Sequence, residues 1–263
     1  MIEFKNVSMS FNDDVVLKKI NLTIMRGETK IILGASGSGK STILKLLLGL
    51  IRPDSGQIFV DGQDISAMSE RELVGVRHQI GMVFQEGALF DSLTVRENVG
   101  YRLYEESVLS EEEIEIVVRK VLGFVGLEEA IDKMPSELSG GMKRRVGLAR
   151  ALVGSPKIIL YDEPTAGLDP ITKRTIVELM IKLRDLEGVT SIFVTHDLRA
   201  ARMIATDYAV LEEDSRVRLT SADDNLCLLN INFVMLHEGE ILFEGPIQLL
   251  YASTEPYIRS FVK

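Results

Sequence analysis

The chain has 263 residues, of which 46% are hydrophobic, so it is long enough to bury the core of one large domain. Its formal net charge of −9 argues against a general nucleic-acid-binding surface, and we expect no nucleic-acid partner. The single cysteine, Cys227, excludes an internal disulfide framework, as is typical of a cytosolic protein. No apolar run is long enough to span a bilayer. Residues 1–5 lack the pattern of a signal peptide.

The first part of the chain is predicted to form strands and turns. Residues 2–7 alternate as in a half-buried strand, and residues 16–24 alternate less cleanly. Phe11 lies in the turn between these two strands, where its ring would either stack on a nucleobase or simply cap the sheet. A turn at residues 26–28 then leads into a short buried strand at residues 30–33.

The segment after this strand fits the phosphate-binding pattern G-x-x-x-x-G-K-[ST]. Its residues are Gly34, Ala35, Ser36, Gly37, Ser38, Gly39, Lys40, Ser41 and Thr42. The glycines allow backbone N–H groups to face a polyphosphate, Lys40 would reach the β- and γ-phosphates, and the Ser41 hydroxyl would bind Mg²⁺. Apolar residues then recur at helical spacing, so a helix N-terminus would face the phosphates and stabilise their charge.

The middle of the chain changes from strands to helices. Further strands are predicted at residues 57–62 and 79–84, and the second of these ends at Gln85. From about residue 88 to residue 153 the pattern is mostly helical, with a capping box at residues 110–113. We interpret this region as a helical subdomain inserted into an α/β core.

The α/β pattern resumes after the helical region. A buried strand ends at Asp162 and Glu163, residues 171–186 form an amphipathic helix, and a strand at residues 190–195 ends at His196. This alternation predicts a parallel sheet with right-handed crossovers, and such sheets bind ligands at the carboxyl ends of their strands. The phosphate loop, Asp162, Glu163 and His196 are therefore predicted to lie together.

The residue types at these strand ends suit phosphate chemistry. Asp162 suits a Mg²⁺ ligand, and Glu163 suits a base that orients or deprotonates an attacking water. The alternative for this pair is a solvated acidic turn, which a phosphate loop upstream makes the less favoured interpretation. His196 has its own alternative, a strand-end histidine whose hydrogen bonds are satisfied by the backbone.

A second anion-binding helix start is predicted at Ser139, Gly140 and Gly141, which precede a helical pattern. One triphosphate does not need two cradles from one chain, so two chains facing head to tail would place this one over the partner's γ-phosphate. Basic residues follow on the same helix, and we interpret them as a solvated face rather than a nucleic-acid patch; they are Lys143, Arg144, Arg145 and Arg150.

Taken in chain order, these motifs resemble the ABC ATPase family. Residues 34–42 match its Walker A motif, Gln85 its Q-loop, 138–142 its signature, 160–163 its Walker B motif, 167–169 its D-loop and His196 its switch histidine. The resemblance implies a P-loop NTPase (RecA-like) α/β core with a mostly parallel sheet, an N-terminal antiparallel β subdomain and an inserted α-helical subdomain. It also implies a homodimer that holds ATP and Mg²⁺ between its two chains.

The resemblance also assigns roles to single residues. Phe11 would be the aromatic residue that stacks on adenine, although the family usually has Tyr there. Gln85 would sense Mg²⁺ and the attacking water, and His196 would contact the γ-phosphate. The implied catalytic residues are Lys40, Gln85, Glu163 and His196, and the implied metal-contacting residues are Ser41, Gln85 and Asp162. Asp169 would shape the dimer interface.

Residues 84–95 and 134–142 are similar to the Mla/Mkl-type ATPases of this family. That similarity implies transport of phospholipid or another hydrophobic substrate between bacterial envelope membranes. It implies a peripheral place on the cytoplasmic face of the inner membrane, with an MlaE-like permease, an MCE-domain lipid-binding protein and a STAS-domain subunit. The alternatives are an ATPase for an importer of another solute, or a soluble mechanical or regulatory ABC ATPase. The latter proteins usually carry coiled-coil insertions or two ATPase domains.

Leu89, Phe90 and Leu93 have two interpretations of equal weight. In the family this neighbourhood forms the groove that receives the permease coupling helix. Alternatively, these side chains belong to the core of the helical subdomain.

The domain assignment places the ATP-binding core and β subdomain in residues 1–87 and 154–245, and the helical signature subdomain in residues 88–153. A short helical tail is predicted at residues 246–263. Residues 207–211 look like the late strand of the family, but residues 232–236 look like a second copy of it. The atypical insertion between them, residues 212–231, is interpreted as an extended hairpin or surface loop rather than a partner contact.

Overall fold

The computed structural model describes residues 1–212, 217–221 and 230–262. The strands of these residues, in chain order, are β1 Ile2–Phe11, β2 Asp14–Ile24, β3 Thr29–Leu33, β4 Ser55–Val60, β5 Gln63–Asp64, β6 Ile80–Val83, β7 Ile158–Asp162, β8 Thr190–Thr195, β9 Asp207–Leu211, β10 Val217–Ser221, β11 Ile231–His237 and β12 Glu240–Gly245.

The helices are α1 Lys40–Leu47, α2 Glu70–Arg77, α3 Val95–Glu106, α4 Glu111–Phe124, α5 Gly140–Leu152, α6 Pro170–Glu187, α7 Leu198–Thr206, α8 Ile247–Tyr251 and α9 Pro256–Phe261. Across the ranges given above, we find no helix whose length and apolar character would let it cross a membrane.

The central sheet has the strand order β12-β11-β3-β8-β7-β6. All neighbours in it are parallel except β12, which is antiparallel to β11. The prediction of a mostly parallel sheet is therefore confirmed. Its inner strands β3, β8 and β7 are buried almost throughout, as is typical of a parallel sheet that is covered on both faces.

The register of this sheet brings the predicted site residues to one edge. Leu33 of β3 lies opposite Thr195 of β8, and Asp162 of β7 lies opposite Val194. The segments that follow these strands begin at Gly34, Glu163 and His196, so they leave the sheet side by side, as the strand-end argument predicts.

The second sheet, in the order β2-β1-β4-β5, is antiparallel and lies over α1. The apolar residues of α1 are almost fully buried because one core cluster joins them to both sheets, through residues such as Leu17, Ile32 and Ile58. The phosphate loop at the start of α1 is consequently attached to a helix that is packed on both sides.

The region from Val95 to Leu152 contains α3, α4 and α5, which pack on one another. Thr94 and Ser110 cap α3 and α4 with capping boxes, which explains why these helices begin there. Helix α2 was not predicted, although Ser69 and Glu72 form the same type of capping box, and that spacing was the available signal.

The late strands take an order that the sequence leaves open between residues 207–211 and 232–236. Residues 207–211 form β9, which pairs only with β10 in a separate two-stranded sheet within the described residues, and β11 takes the place beside β3 in the central sheet. The reason is burial: β11 is buried along most of its length, whereas β9 has exposed or half-buried residues throughout. The insertion contributes β10, while residues 213–216 and 222–229 lie outside the described part.

The C-terminal tail also differs from the prediction of one short helix. It forms two helices, α8 and α9, with an interruption before Pro256. Proline disfavours helical geometry at the preceding residue and is well tolerated at the first position of a helix, so α9 begins at this proline. Lys263 lies outside the described residues.

Candidate nucleotide site

The phosphate loop is held between two strands that are distant in sequence. Gly39 has a φ of +100°, and a Cβ atom there would lie 2.8 Å from Cδ2 of Leu17 in β2. A Cβ atom on Gly34 would lie 2.4 Å from the carbonyl oxygen of Leu236 in β11. Glycine is therefore required at both ends of the loop, at Gly39 by backbone geometry and at Gly34 by close packing.

Lys40, the first residue of α1, is buried and folds back over the loop. Its Nζ atom donates hydrogen bonds to the carbonyl oxygens of Gly34 and Ala35, both at 2.9 Å, and lies 3.7 Å from Oε1 of Glu163. Burial lowers the pKa of Lys40, and the negative charge of Glu163 opposes that effect. The ammonium group is thus positioned inside the loop, facing the acidic strand end.

Ser41 and Asp162 bring two oxygen atoms together. The Ser41 hydroxyl donates to Oδ1 of Asp162 at 2.8 Å, and burial raises the pKa of Asp162. In the part of the chain that the structure describes, no group of three or more His, Cys, Asp or Glu side chains forms a metal site by itself. Mg²⁺ usually takes one or two protein oxygens together with phosphate and water oxygens, so this pair fits a Mg²⁺ ion that arrives with a nucleotide.

Glu163 is held in an uncommon conformation by three groups. Its φ is +46°, which non-glycine residues rarely adopt and which is typical of functional sites. Oε2 accepts hydrogen bonds from the Thr195 hydroxyl at 3.1 Å and the His196 backbone N–H at 3.3 Å, and Oε1 lies 2.9 Å from Nδ1 of His196. The Glu163 side chain is only 13% exposed, which argues against a solvated acidic turn.

Two features of this cluster go beyond the sequence prediction. Thr195 was not predicted as a site residue, although its place directly before His196 at a strand end was an available signal. The His196 ring faces a carboxylate rather than a backbone group. The structure thus brings together Lys40, Ser41, Asp162, Glu163 and His196.

The predicted second cradle lies at the start of α5. Ser139 caps this helix, and its hydroxyl accepts a hydrogen bond from the Met142 backbone N–H at 3.2 Å. A Cβ atom on Gly141 would lie 2.5 Å from Cγ2 of Thr172, so the start of α5 packs against the start of α6. Within the described residues, Ser139, Gly140 and Gly141 form no hydrogen bond with the phosphate loop.

Asp169, in the predicted D-loop, caps α6 beside the start of α5. Its Oδ1 atom accepts hydrogen bonds from the backbone N–H groups of Ile171 and Thr172, both at 3.0 Å, and the hydrogen bonds with Thr172 contribute most to lowering its pKa. Both helix starts are exposed, as a face that meets another chain would require.

The structure does not bring Gln85 and Phe11 into the cluster. The Gln85 side chain is exposed and forms no hydrogen bond with any described residue. Phe11 is exposed at the end of β1, opposite Asp14 in the hairpin. The roles of both residues therefore stay predictions.

The prediction of a solvated basic face on α5 is wrong for its arginines. Arg144 is only 8% exposed, and its guanidinium donates to the carbonyl oxygens of Gln85 and Ala166. Arg150 donates to the carbonyl oxygens of Gly87 and Ala88, both at 2.7 Å. Burial lowers the pKa of both arginines. A guanidinium can hold two carbonyls at once, and helical spacing does not reveal that use.

Arg145 is likewise bound to backbone groups, because it donates to the carbonyl oxygens of Val125 and Gly126 after α4. The three arginines together attach α5 to the segment around Gln85, to the segment before Asp169 and to the end of α4. The start of α5 is thus coupled to the segments that flank the acidic cluster.

The structure supports a core position for Leu89 and a surface position for Phe90 and Leu93. Leu89 packs against the core, whereas the exposed Phe90 ring lies 4.8 Å from that of Tyr101. Leu93 and Tyr101 line a surface cavity of about 540 Å³ beside α3. We define the coupling groove as this cavity together with Phe90; its use stays a prediction.

This chain is similar in sequence to several known proteins. The family model described as "ABC transporter" matches residues 17–166. The intermembrane phospholipid transport system ATP-binding protein MlaF of Haemophilus influenzae is 40% identical, over 97% of this chain and 96% of its own length. The probable ribonucleotide transport ATP-binding protein mkl of Mycobacterium tuberculosis is 37% identical, over 99% of this chain and 66% of its own length.

A solved structure adds a direct comparison of the folds. The dimeric post-hydrolysis state of the ATP-binding cassette MJ0796, bound to ADP and Pi, superposes with a TM-score of 0.77 at 32% sequence identity. The match covers 94% of this chain and 99% of that one.

Proposed function

This chain belongs to the ABC transporter ATPase family, and we propose that it powers the movement of phospholipid or another hydrophobic substrate between the membranes of a bacterial envelope. The family assignment, the P-loop NTPase fold class and the resemblance to Mla/Mkl-type ATPases are confirmed. Membership makes the chain an ATP-hydrolysing subunit. The observation that carries the lipid proposal is the similarity to MlaF along nearly the whole of both chains.

We infer that the triphosphate binds to the phosphate loop, residues 34–42. The loop and the N-terminus of α1 offer backbone N–H groups, and the Lys40 ammonium would move from the loop carbonyls to the β- and γ-phosphates. The Phe11 ring would stack on the adenine. The chemistry that Mg²⁺ supplies when bound is charge neutralisation on the phosphates, with Ser41 and Asp162 as its protein contacts and Gln85 beside it.

Glu163 is the proposed base for hydrolysis. It would accept a proton from water as the water oxygen bonds to the γ-phosphorus and the bond from that phosphorus to the ADP oxygen breaks. Thr195 and His196 hold the carboxylate in place, so catalysis rests on positioning and on charge stabilisation. His196 would also contact the γ-phosphate.

The exposed start of α5 supports a site shared by two chains. Ser139, Gly140 and Gly141 of one chain would cover the γ-phosphate held by the other, and Asp169 would lie at the same interface. ATP would then close the homodimer, and hydrolysis would reopen it. Arg144 attaches α5 to the carbonyls of Gln85 and Ala166. A movement of α5 on closure would therefore also move these two segments, which lie beside the acidic cluster of the same chain.

The proposed partners follow from the same subgroup. We propose that the coupling groove receives an MlaE-like permease at the cytoplasmic face of the inner membrane, and that an MCE-domain protein and a STAS-domain subunit complete the transporter. The second candidate is an ATPase for another solute, since the relative mkl is named for ribonucleotide transport. The nucleotide site is the same in both cases.

The test is purification of the tagged chain from native membranes in mild detergent, with mass spectrometry of bound proteins and lipids. We expect a permease, an MCE-domain protein and phospholipid. Phe90→Asp is expected to lose the permease, because it removes an exposed ring and adds a negative charge beside a cavity that Glu97 and Glu105 already line, whereas Val108→Asp at an 81% exposed position keeps it. Recovery of a different permease without lipid would overturn the lipid proposal, and recovery of soluble partners alone would overturn the transporter proposal.

A further inference from the structure

The C-terminal helix α9 contacts the phosphate loop through one tyrosine. The backbone N–H of Ala35 donates a hydrogen bond to the hydroxyl oxygen of Tyr257 at 3.3 Å. The Tyr257 ring stacks on the ring of His237, with centroids 3.6 Å apart and planes 24° apart. His237 is the last residue of β11, so one side chain joins the tail, the central sheet and the loop.

Tyr257 is presented by an anchored helix. Its neighbour Ile258 is only 1% exposed and belongs to the apolar core, and Phe261 packs against the same core. The rings of Tyr257 and Phe261 lie 6.2 Å apart. The hydroxyl of Tyr257 therefore has a fixed place relative to β11.

The contact acts on the same peptide unit that positions Lys40, the one that joins Gly34 to Ala35. The N–H of Ala35 donates to Tyr257, and the carbonyl of Gly34 accepts from Nζ of Lys40 at 2.9 Å. On the neighbouring Gly34, a Cβ atom would lie 2.4 Å from the Leu236 carbonyl, so the loop start also touches β11. The loop start is fixed from the lysine side and from the tail side.

We propose that Tyr257 is a positioning residue for nucleotide binding, which holds the Gly34–Ala35 peptide, and with it the Gly34 carbonyl that binds Lys40, so that the start of the loop is ordered before the phosphates arrive. This inference rests on the nucleotide site proposed above. A loop that is already ordered binds with less loss of conformational entropy, so the contact increases nucleotide affinity. Phenylalanine keeps the ring and its stacking but has no oxygen to accept from Ala35.

The experiment measures ADP affinity by calorimetry and ATP hydrolysis at steady state for Tyr257→Phe in the full chain. We expect the Kd for ADP and the KM for ATP to rise by about two- to tenfold, the range for one hydrogen bond, with kcat unchanged. Tyr251→Phe on α8 is the matched control, since its ring is exposed, and it is expected to match the wild type in both measurements.

A merely structural role predicts a different pattern. It would lower the melting temperature and the active fraction, and so reduce kcat while KM and Kd stay at the wild-type values. That pattern, or wild-type affinity in Tyr257→Phe, overturns the inference. Tyr257→Ala removes the stacking as well, and its Kd is expected to rise at least as far. If the wild-type chain itself does not bind ADP, the proposed nucleotide site fails, and the inference fails with it.

Discussion

Glu163→Gln is expected to lower the rate of ATP hydrolysis by about 10²–10⁴-fold and to leave ATP binding within about threefold of the wild type. The amide oxygen of glutamine can still accept hydrogen bonds from Thr195 and His196, so the side chain keeps its place. Glutamine cannot accept the proton of the attacking water, so the chemical step loses its base. The measurements are steady-state hydrolysis and equilibrium binding of ATP.

The control for this variant is Glu178→Gln, which removes a carboxylate paired with Arg174 on the surface of α6. Its hydrolysis rate is expected to equal that of the wild type. Wild-type turnover in Glu163→Gln would exclude Glu163 as the base. A large loss of ATP binding would show instead that the carboxylate maintains the shape of the loop through Lys40.

Lys40→Ala is expected to weaken ATP binding by about 10²-fold or more, since hydrogen bonds from a charged donor contribute about 1.5–3 kcal/mol each. The substitution removes the ammonium that bridges the loop carbonyls and Glu163. Hydrolysis is expected to fall with it, because Lys40 would also stabilise the charge on the γ-phosphate during transfer. Titration with ATP measures the affinity, and a thermal melt reports whether the chain remains folded.

Lys120→Ala on the exposed face of α4 is the matched control for lost charge and is expected to leave the affinity unchanged. An ATP affinity of Lys40→Ala equal to that of the wild type would contradict the assignment of the phosphate loop. Lys40→Arg keeps the charge but enlarges the side chain, and the close contacts to Gly34 and Ala35 predict that it also binds poorly.

Local signals predicted the parts of the fold in which each strand has a single plausible partner. The strand before the loop and the strands before Glu163 and His196 were predicted within a residue or two of β3, β7 and β8. Their apolar runs are short and bounded, and the alternation with helices leaves few ways to order them. The same argument predicted that their carboxyl ends meet.

The late strands could not be ordered from the sequence because two segments compete for one place. Residues 207–211 and 231–237 are both strand-like, and only packing against β3 distinguishes them. The sequence favours neither segment, whereas the burial of β11 along most of its length suits a strand covered on both faces. The competition was visible in the sequence, and its outcome depended on tertiary burial.

The contacts that connect the site to its surroundings could also not be predicted from the sequence. Arg144 and Arg150 are typical surface residues by type, yet they bind backbone carbonyls that are distant in the chain, and those of Gln85 and Gly87 are more than fifty residues away. Tyr257 binds the Ala35 peptide across 222 positions of the chain. A backbone partner leaves no residue-type signal, so only the folded structure reveals such pairs.

The shared site between two chains is tested most directly by the mass of Glu163→Gln in solution, measured by light scattering with and without Mg²⁺ and ATP. We predict a monomer without nucleotide and a dimer with it, because the slowed variant holds ATP at the interface. Adding Ser139→Arg is predicted to keep the protein monomeric, while Ser136→Arg on a nearby exposed turn leaves the dimer intact. A monomer mass at saturating ATP, or a dimer that persists with Ser139→Arg, would contradict the proposed site between two chains.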